Sequence, residues 1–318
     1  MDLPTAPELS VVITAFNVAA YIGDALQSAL NQTLRHIEVI VVDDGSTDGT
    51  LAVIRSIHDP RIRLVARSHA GEIAAFNAAI ALAQGEFIAF LDGDDVWHPD
   101  KLAQHVRFLK DHPEIDLTFS WSRIIDENGT ETGLTSRPWR GSLSFSQLLT
   151  DNVIGNGSSV VLRREPFLKI MPFDGALESC YDFDVFLRFA LLRPANIACV
   201  PACLTYYRRR SGQITRDIDR MERGWNLVLE RMMRLAPRET ARVAAAARSN
   251  MARFYAYLAY ENGNYFKAWA YLYRGFREAP LRFFLDLRNW KMTAATLSAT
   301  LLPAQWHKRL LRAALLGR

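Results

Sequence analysis

Three carboxylates fall within four residues at Asp92-Gly93-Asp94-Asp95, directly after the apolar run FIAFL. Charges that close repel one another unless a cation sits between them, and hard oxygen ligands suit magnesium or manganese. Asp43-Asp44-Gly45-Ser46 closes the run EVIVV in the same way, and Thr14-Ala15-Phe16-Asn17 closes LSVVI. Turn and helix-capping roles by themselves account for Asp43, Asp44 and Asp48. A triple carboxylate after an apolar run is more than a turn requires. A second acidic pair, Asp182 and Asp184, precedes a helical pattern in which Phe183, Phe186, Leu187 and Phe189 face a core. It reads either as capping or as a general base, because apolar walls raise a carboxyl pKa and let it accept a proton from an attacking hydroxyl. His69 and His98 lack the spacing of a zinc site, and Trp97 reads as a packing residue or a sugar platform.

The elements that must hold these groups alternate. Strands are expected over residues 9–14, 38–42, 61–66 and 86–91, with helices over 20–31, 47–57 and 72–83 between them. That order dictates parallel βαβ units with right-handed crossovers, and ligands of such a sheet collect beyond the carboxyl ends of its strands. A helix over 100–110, strands near 117–121 and 158–162, a loop over 128–144 and a helix over 183–192 follow. From residue 217 the pattern is helical, with helices over 221–235, 239–261 and 265–278. A domain of residues 1–216 and a helical module of 217–318 are expected.

The chain has 318 residues, 49% hydrophobic and 23% charged, which fits a folded globule and excludes a disordered or collagen-like chain. The net charge of +4 is too small to demand nucleic acid. Its distribution is uneven: residues 265–318 carry ten Lys/Arg against Glu278 and Asp286. With Trp290, Trp306, Leu310-Leu311 and Leu315-Leu316, this basic tail suits peripheral contact with an anionic inner membrane leaflet; packing on the first domain or a homodimer is the alternative. Three cysteines without CxxC spacing and an N-terminus without an apolar leader point to a cytoplasmic protein. No G-x-G-x-x-G follows the first strand and no P-loop occurs, so neither a dinucleotide dehydrogenase nor a P-loop nucleotidase is supported.

Over residues 8–215 the sequence resembles the family 2 inverting glycosyltransferases of the GT-A fold. The matching pieces are LSVVITAFN, EVIVVDDGSTDGT, GEFIAFLDGDDVWHPDKL, the RREPF and PFDGAL segments, and CYDFDVFLRF. The resemblance implies an α/β fold, a Rossmann-like mixed sheet flanked by helices, followed here by a helical C-terminal module. It implies a nucleotide-sugar donor, a glycan or lipid-linked acceptor, and Mn2+ or Mg2+. Thr14, Phe16 and Asn17 match the first nucleotide-contacting segment, and Asp44 matches the aspartate that binds the base. Asp92-Gly93-Asp94 matches the DxD motif, with Asp94 as direct metal ligand and Asp92 nearer the ribose and the metal's waters. Asp182 matches the catalytic aspartate of a Glu-Asp motif whose glutamate is Tyr181 here, so Asp184 remains the alternative base. Two further departures are Phe76-Asn77 in place of an arginine-asparagine pair, and the run Tyr207-Arg208-Arg209-Arg210, where members carry a histidine after the Tyr-Arg pair. That run is expected to meet the diphosphate, unless it is a solvated basic surface.

The implied reaction is a single displacement at the anomeric carbon, with Asp182 taking the acceptor's proton. Two rivals stand beside it. Asp-x-Asp-x-Val at Asp92–Val96 also resembles the nucleophile motif of haloacid-dehalogenase-like phosphatases, although that motif belongs on a first strand. A non-catalytic nucleotide-sugar-binding protein is the other.

Overall fold

The computed structural model describes residues 6–136 and 138–302. Ten strands, β1 (Leu9–Ala15), β2 (Ile37–Asp43), β3 (Ile62–Ala66), β4 (Phe87–Asp92), β5 (Val96–Trp97), β6 (Leu117–Ile125), β7 (Glu131–Thr135), β8 (Gly141–Leu143), β9 (Val160–Arg163) and β10 (Ile197–Arg208), form one sheet. The first unit also carries helices α1 (Ile22–Leu30), α2 (Thr50–Ser56), α3 (Glu72–Leu82), α4 (Lys101–Asp111), α6 (Arg164–Leu168) and α7 (Tyr181–Leu192), with α5 (Phe145–Thr150) between β8 and β9. The second unit is built from α8 (Ile218–Leu235), α9 (Pro237–Glu261), α10 (Tyr265–Glu278), α11 (Pro280–Leu285) and α12 (Leu287–Leu301). The first unit ends at Gln213; the second begins at Ile214 and includes Leu149–Asp151.

The sheet order is β3-β2-β1-β4-β9-β6-β10-β5, with β7 on β6 and β8 on β10. β1 is buried along its whole length because it pairs on both edges, parallel to β2 and to β4, and is covered on both faces. Its register sets the rim that matters: Ala15 lies opposite Asp43, and Thr14 lies opposite Asp92. The carboxyl ends of β1, β2 and β4 are thereby level. β9 runs antiparallel to both β4 and β6, so the sheet is mixed, as expected.

Several expectations are revised. Residues 128–144 are not a plain loop but contain β7 and β8. β6 reaches Ile125, and β10, for which the sequence pattern gave no strand, pairs with β6 through two register shifts around Pro201. α2 starts at Thr50, with Gly49 as its N-cap, and Asp48 holds the turn just before it by accepting the Thr50 N–H (2.9 Å) and hydroxyl (2.5 Å). α7 starts at Tyr181, so Asp182 and Asp184 lie inside its first turn instead of before it.

The α4 helix packs an unusual pair beside the sheet. Lys101 is wholly buried and its Nζ donates to Ser159 O at 2.9 Å; burial holds its pKa well below the ordinary lysine value. His105 is wholly buried too, with Nδ1 2.9 Å from Thr118 Oγ1. Thr118 Oγ1 gives its own proton to Val161 O, so it accepts from His105 Nδ1–H, and Nε2 carries no proton and no hydrogen bond. Burial first, and the Lys101 charge second, hold the His105 pKa well below 6.5. Below about pH 6.5 the unfolded chain binds a proton that the folded one refuses, so folding weakens as pH falls. His105→Gln removes that dependence. The stability gap between the native chain and His105→Gln, from urea unfolding, is expected to shrink from pH 7 to pH 5, with a limiting slope of about 1.4 kcal/mol per pH unit; an unchanged gap would contradict the neutral assignment.

In the second unit, Asp217, Asn264 and Asp286 cap α8, α10 and α12 by accepting the N–H groups of Arg220, Lys267 and Arg288 at 3.0, 3.0 and 2.9 Å. Tyr255, Ala256, Ala259, Ala268, Tyr271 and Phe283 form its core. Among the described residues no helix is long and apolar enough to cross a membrane. The tail residues Trp306, Lys308, Arg309, Leu310, Leu311, Arg312, Leu315, Leu316 and Arg318 lie outside the described residues.

Candidate active site

Three loops leave the level rim of β1, β2 and β4 and hold one another. Asn17, at φ 53°, accepts the Thr47 N–H at 2.8 Å through its side-chain oxygen and gives its own N–H to Ser46 Oγ at 3.0 Å. Asparagine tolerates this left-handed backbone, so it joins the β1 loop to the β2 loop at little strain. Gly45, at φ 75°, lies so close to the loop after β3 that a Cβ would stand 2.6 Å from His69 N. Gly93 lets the end of β4 press on β1, where a Cβ would stand 3.1 Å from Thr14 O and from Val18 Cγ2.

Asp44 is almost fully buried and fully engaged. Its carboxylate accepts Gly71 N–H at 2.8 Å and Ala70 N–H at 3.1 Å, and faces His69 Nδ1 at 2.8 Å and Arg67 Nε at 3.4 Å. His69 stacks on Phe16 with ring centroids 4.3 Å apart, and Phe16 is 43% exposed. An exposed aromatic pair beside a buried carboxylate offers a flat apolar face and a polar edge, which suits a planar heterocycle. His69 thus belongs to the site, where its spacing alone had not put it.

At the end of β4 the carboxylates are crowded. Burial, followed by the charges of Asp95, Glu72, Asp94 and Asp182, raises the Asp92 carboxyl well above its ordinary range. Burial and then the Asp94 charge push Asp95 up to about 8. Asp95 Oδ1 accepts Arg208 N–H at 2.8 Å, whereas Oδ2 has no hydrogen-bond partner. Asp94 Oδ2 is held by Arg210 Nε at 2.6 Å. The Arg208 guanidinium lies over the Tyr21 ring and donates to Asp94 O at 2.7 Å and Glu127 O at 3.1 Å. Arg208 and Arg210 reach the same cluster because alternate residues at a strand end share a face, whereas Arg209 gives its N–H to Ile125 O. Arg208, at 2% exposure, is a buried brace and no surface charge. Trp97 is also internal, its Nε1 donating to Ser158 O at 2.8 Å, so it offers no sugar platform.

Among the described residues no three His, Cys, Asp or Glu side chains gather as a metal cage. The donor set still fits a hard divalent ion of the kind that takes one or two carboxylates and fills its remaining positions with phosphate oxygens and water. Even with Arg208 and Arg210 beside them, the carboxylates of Asp92, Asp94, Asp95, Glu72 and Asp182 outnumber the cations of the cluster.

α7 brings its first turn to the same cluster. Asp182 is half-buried, accepts Phe183 N–H at 2.7 Å, and has its pKa raised by burial. Its charge is felt at Asp92. Asp184 is wholly buried and bound to Arg188 Nε at 2.8 Å. Tyr181 hydrogen-bonds Glu72, the first residue of α3, and burial raises its pKa further than the charges of Glu72, Asp92 and Asp182 around it. Phe76 is buried against Tyr181 and Phe173, at centroid distances of 5.8 and 5.6 Å. The two positions where the chain lacks the family's polar residues are therefore in contact, an aromatic pair standing at both. Glu72 escaped sequence reading, because its partners lie 20 and more than 100 residues away and a first-turn glutamate looks like ordinary helix chemistry.

With this geometry in place, comparison with known proteins is decisive at the level of family. The profile of Glycosyl transferase family 2 matches residues 10–171. The chain belongs to this family. Membership of this family speaks against the haloacid-dehalogenase-like alternative, as does the aspartate motif closing β4, the fourth strand. Chondroitin synthase of Pasteurella multocida is 32% identical over 187 residues, 58% of this chain and 19% of the synthase. The chain spans 59% of the length of the first curated relatives it matches, proteins of Mycobacterium. The structure of S. aureus TarS with UDP-GlcNAc superimposes with a TM-score of 0.63 at 20% identity, covering 92% of this chain and 87% of that one. A mannosyltransferase of Pyrobaculum calidifontis in complex with GDP-Man and Mn2+ gives a TM-score of 0.56 at 18% identity over 98% and 86% of the two chains. These likenesses establish the GT-A fold of the family 2 enzyme.

Proposed function

We propose that this glycosyltransferase is a metal-dependent inverting enzyme that moves a sugar from a nucleotide-diphospho-sugar, first among them a UDP-sugar, to a hydroxyl of a glycan acceptor. The observation that carries the reading is the meeting of Asp182 with the carboxylates of β4. A half-buried carboxyl with a raised pKa stands where Asp92, Asp94 and Asp95 gather. The names of the relatives support it: a chondroitin synthase builds a glycan, and TarS was crystallised with UDP-GlcNAc.

Phe16 and His69 present the face for the base, and Asp44 holds the loop of Arg67–Gly71 beside it. Asp94, with Asp92 acting through water, would hold the divalent ion, which supplies positive charge against the departing diphosphate. Asp182 accepts the acceptor's proton as that oxygen bonds to the anomeric carbon and the bond to the diphosphate breaks. The configuration at that carbon inverts, because bond making and breaking occur on opposite faces. Asp184 takes no part, its charge being spent on Arg188.

A panel of nucleotide sugars, each with manganese, tests the donor. The matching donor at about a hundred times its Kd stabilises the fold by about 2.7 kcal/mol, a shift of several degrees in Tm. Absence of protection by every nucleotide and nucleotide sugar would overturn the reading. Protection without turnover on any acceptor would favour the binding-protein alternative, and a product of retained anomeric configuration would exclude inversion.

A further inference from the structure

One contact in this cluster belongs to neither base recognition nor proton transfer. Arg210 places Nε 2.6 Å from Asp94 Oδ2. Asp94 is the residue that the donor-site reading assigns to the metal, and the inference rests on that reading. We propose that Arg210 is a resident counter-cation: it neutralises Asp94 while the site is empty of donor, and passes to the diphosphate when donor and metal arrive. Divalent metal and nucleotide diphosphate then bind as a coupled pair, each weak alone.

The neighbouring arginine shows why Arg210 is the one that moves. Arg208 is buried, with its N–H on Asp95, its guanidinium donating to two carbonyls and a third contact to Asp24 at 3.5 Å. Releasing it would strand several buried partners. The Arg210 side chain is 23% exposed and its single strong contact is the Asp94 carboxylate; its other donations, from N to Gln213 Oε1 at 3.4 Å and from Nη1 to Ser211 O at 3.5 Å, are long. The Tyr21 face, 5.6 Å from its guanidinium, supports the side chain without fixing it. The pair is largely screened from water, the two side chains being 23% and 11% exposed, so it opens only when a replacement charge meets each partner. A guanidinium binds a diphosphate in two-pronged fashion. A metal ion arriving by itself must evict Arg210 and leave that cation unpaired next to it. A metal ion arriving with a diphosphate gives it a new partner.

The coupling is measurable with the full chain by calorimetric titration and by the electron paramagnetic resonance signal of free Mn2+, using MnCl2 alone, UDP alone and both. UDP is expected to tighten manganese binding to the native protein at least about tenfold, and manganese to tighten UDP by the same factor. Arg210→Gln is expected to bind manganese alone about tenfold more tightly than the native chain, and to lose most of the coupling with UDP. Arg210→Lys, which restores a cation, should return the weak metal-only binding, and circular dichroism confirms that both variants are folded. Equal manganese affinity of Arg210→Gln and the native protein, with UDP still binding alongside manganese, overturns the counter-cation role and leaves the donor site standing. If UDP with manganese binds neither protein, both readings fall.

Discussion

Asp182→Asn is expected to bind the donor as the native enzyme does and to turn over about a hundred to ten thousand times more slowly, the usual contribution of a positioned base. The substitution keeps the side chain's size and the oxygen that accepts Phe183 N–H at 2.7 Å. It removes only the ability to take a proton. Because the Asp182 charge acts on Asp92, deleting it also relieves carboxylate repulsion, so the fold should not weaken. Initial rates with the matching donor, beside the donor's effect on Tm, separate the two quantities. Native turnover by the folded variant would remove proton transfer from this carboxyl. Loss of donor binding together with turnover would make Asp182 part of the donor site.

The rim of the sheet was legible because its determinants are local. An apolar run ending in Asp92-Gly93-Asp94-Asp95 specifies a buried strand, and the level ends of β1, β2 and β4 follow from parallel pairing. What escaped depends on distant partners or on local irregularity. β10 carries Pro201 and two register shifts, which break the alternation that marks a strand, so the pattern did not reveal that this strand delivers Arg208 and Arg210 to Asp95 and Asp94. Each of Phe76 and Tyr181 taken singly looked like a lost polar residue; only their contact, with Phe173 beside both, makes them an exchange of polar for aromatic packing. Which carboxylate on α7 is the base stayed open in the sequence, although the four-residue spacing of Asp184 and Arg188 was there to read.

That spacing leads to the second large effect. Asp184→Asn is expected to destabilise the first unit by about 3–5 kcal/mol and to lower Tm by roughly 10 °C, while the folded fraction keeps its turnover. The Asp184 carboxylate is wholly buried, and the Arg188 side chain it neutralises is 15% exposed and also donates to Ile170 O. Removing one charge leaves the other desolvated without compensation, which costs far more than the intact pair contributes. Replacing both partners by apolar residues, Asp184→Leu with Arg188→Met, removes the stranded charge and should recover most of the lost stability. Thermal unfolding of the single and double variants, with rates normalised to folded protein, makes the comparison. A single variant that melts like the native chain but has lost turnover would transfer the proton-accepting role to Asp184. Asp184 answers to Arg188, whereas Asp182, two residues away on the same helix, acts on Asp92, and the two variants tell these roles apart.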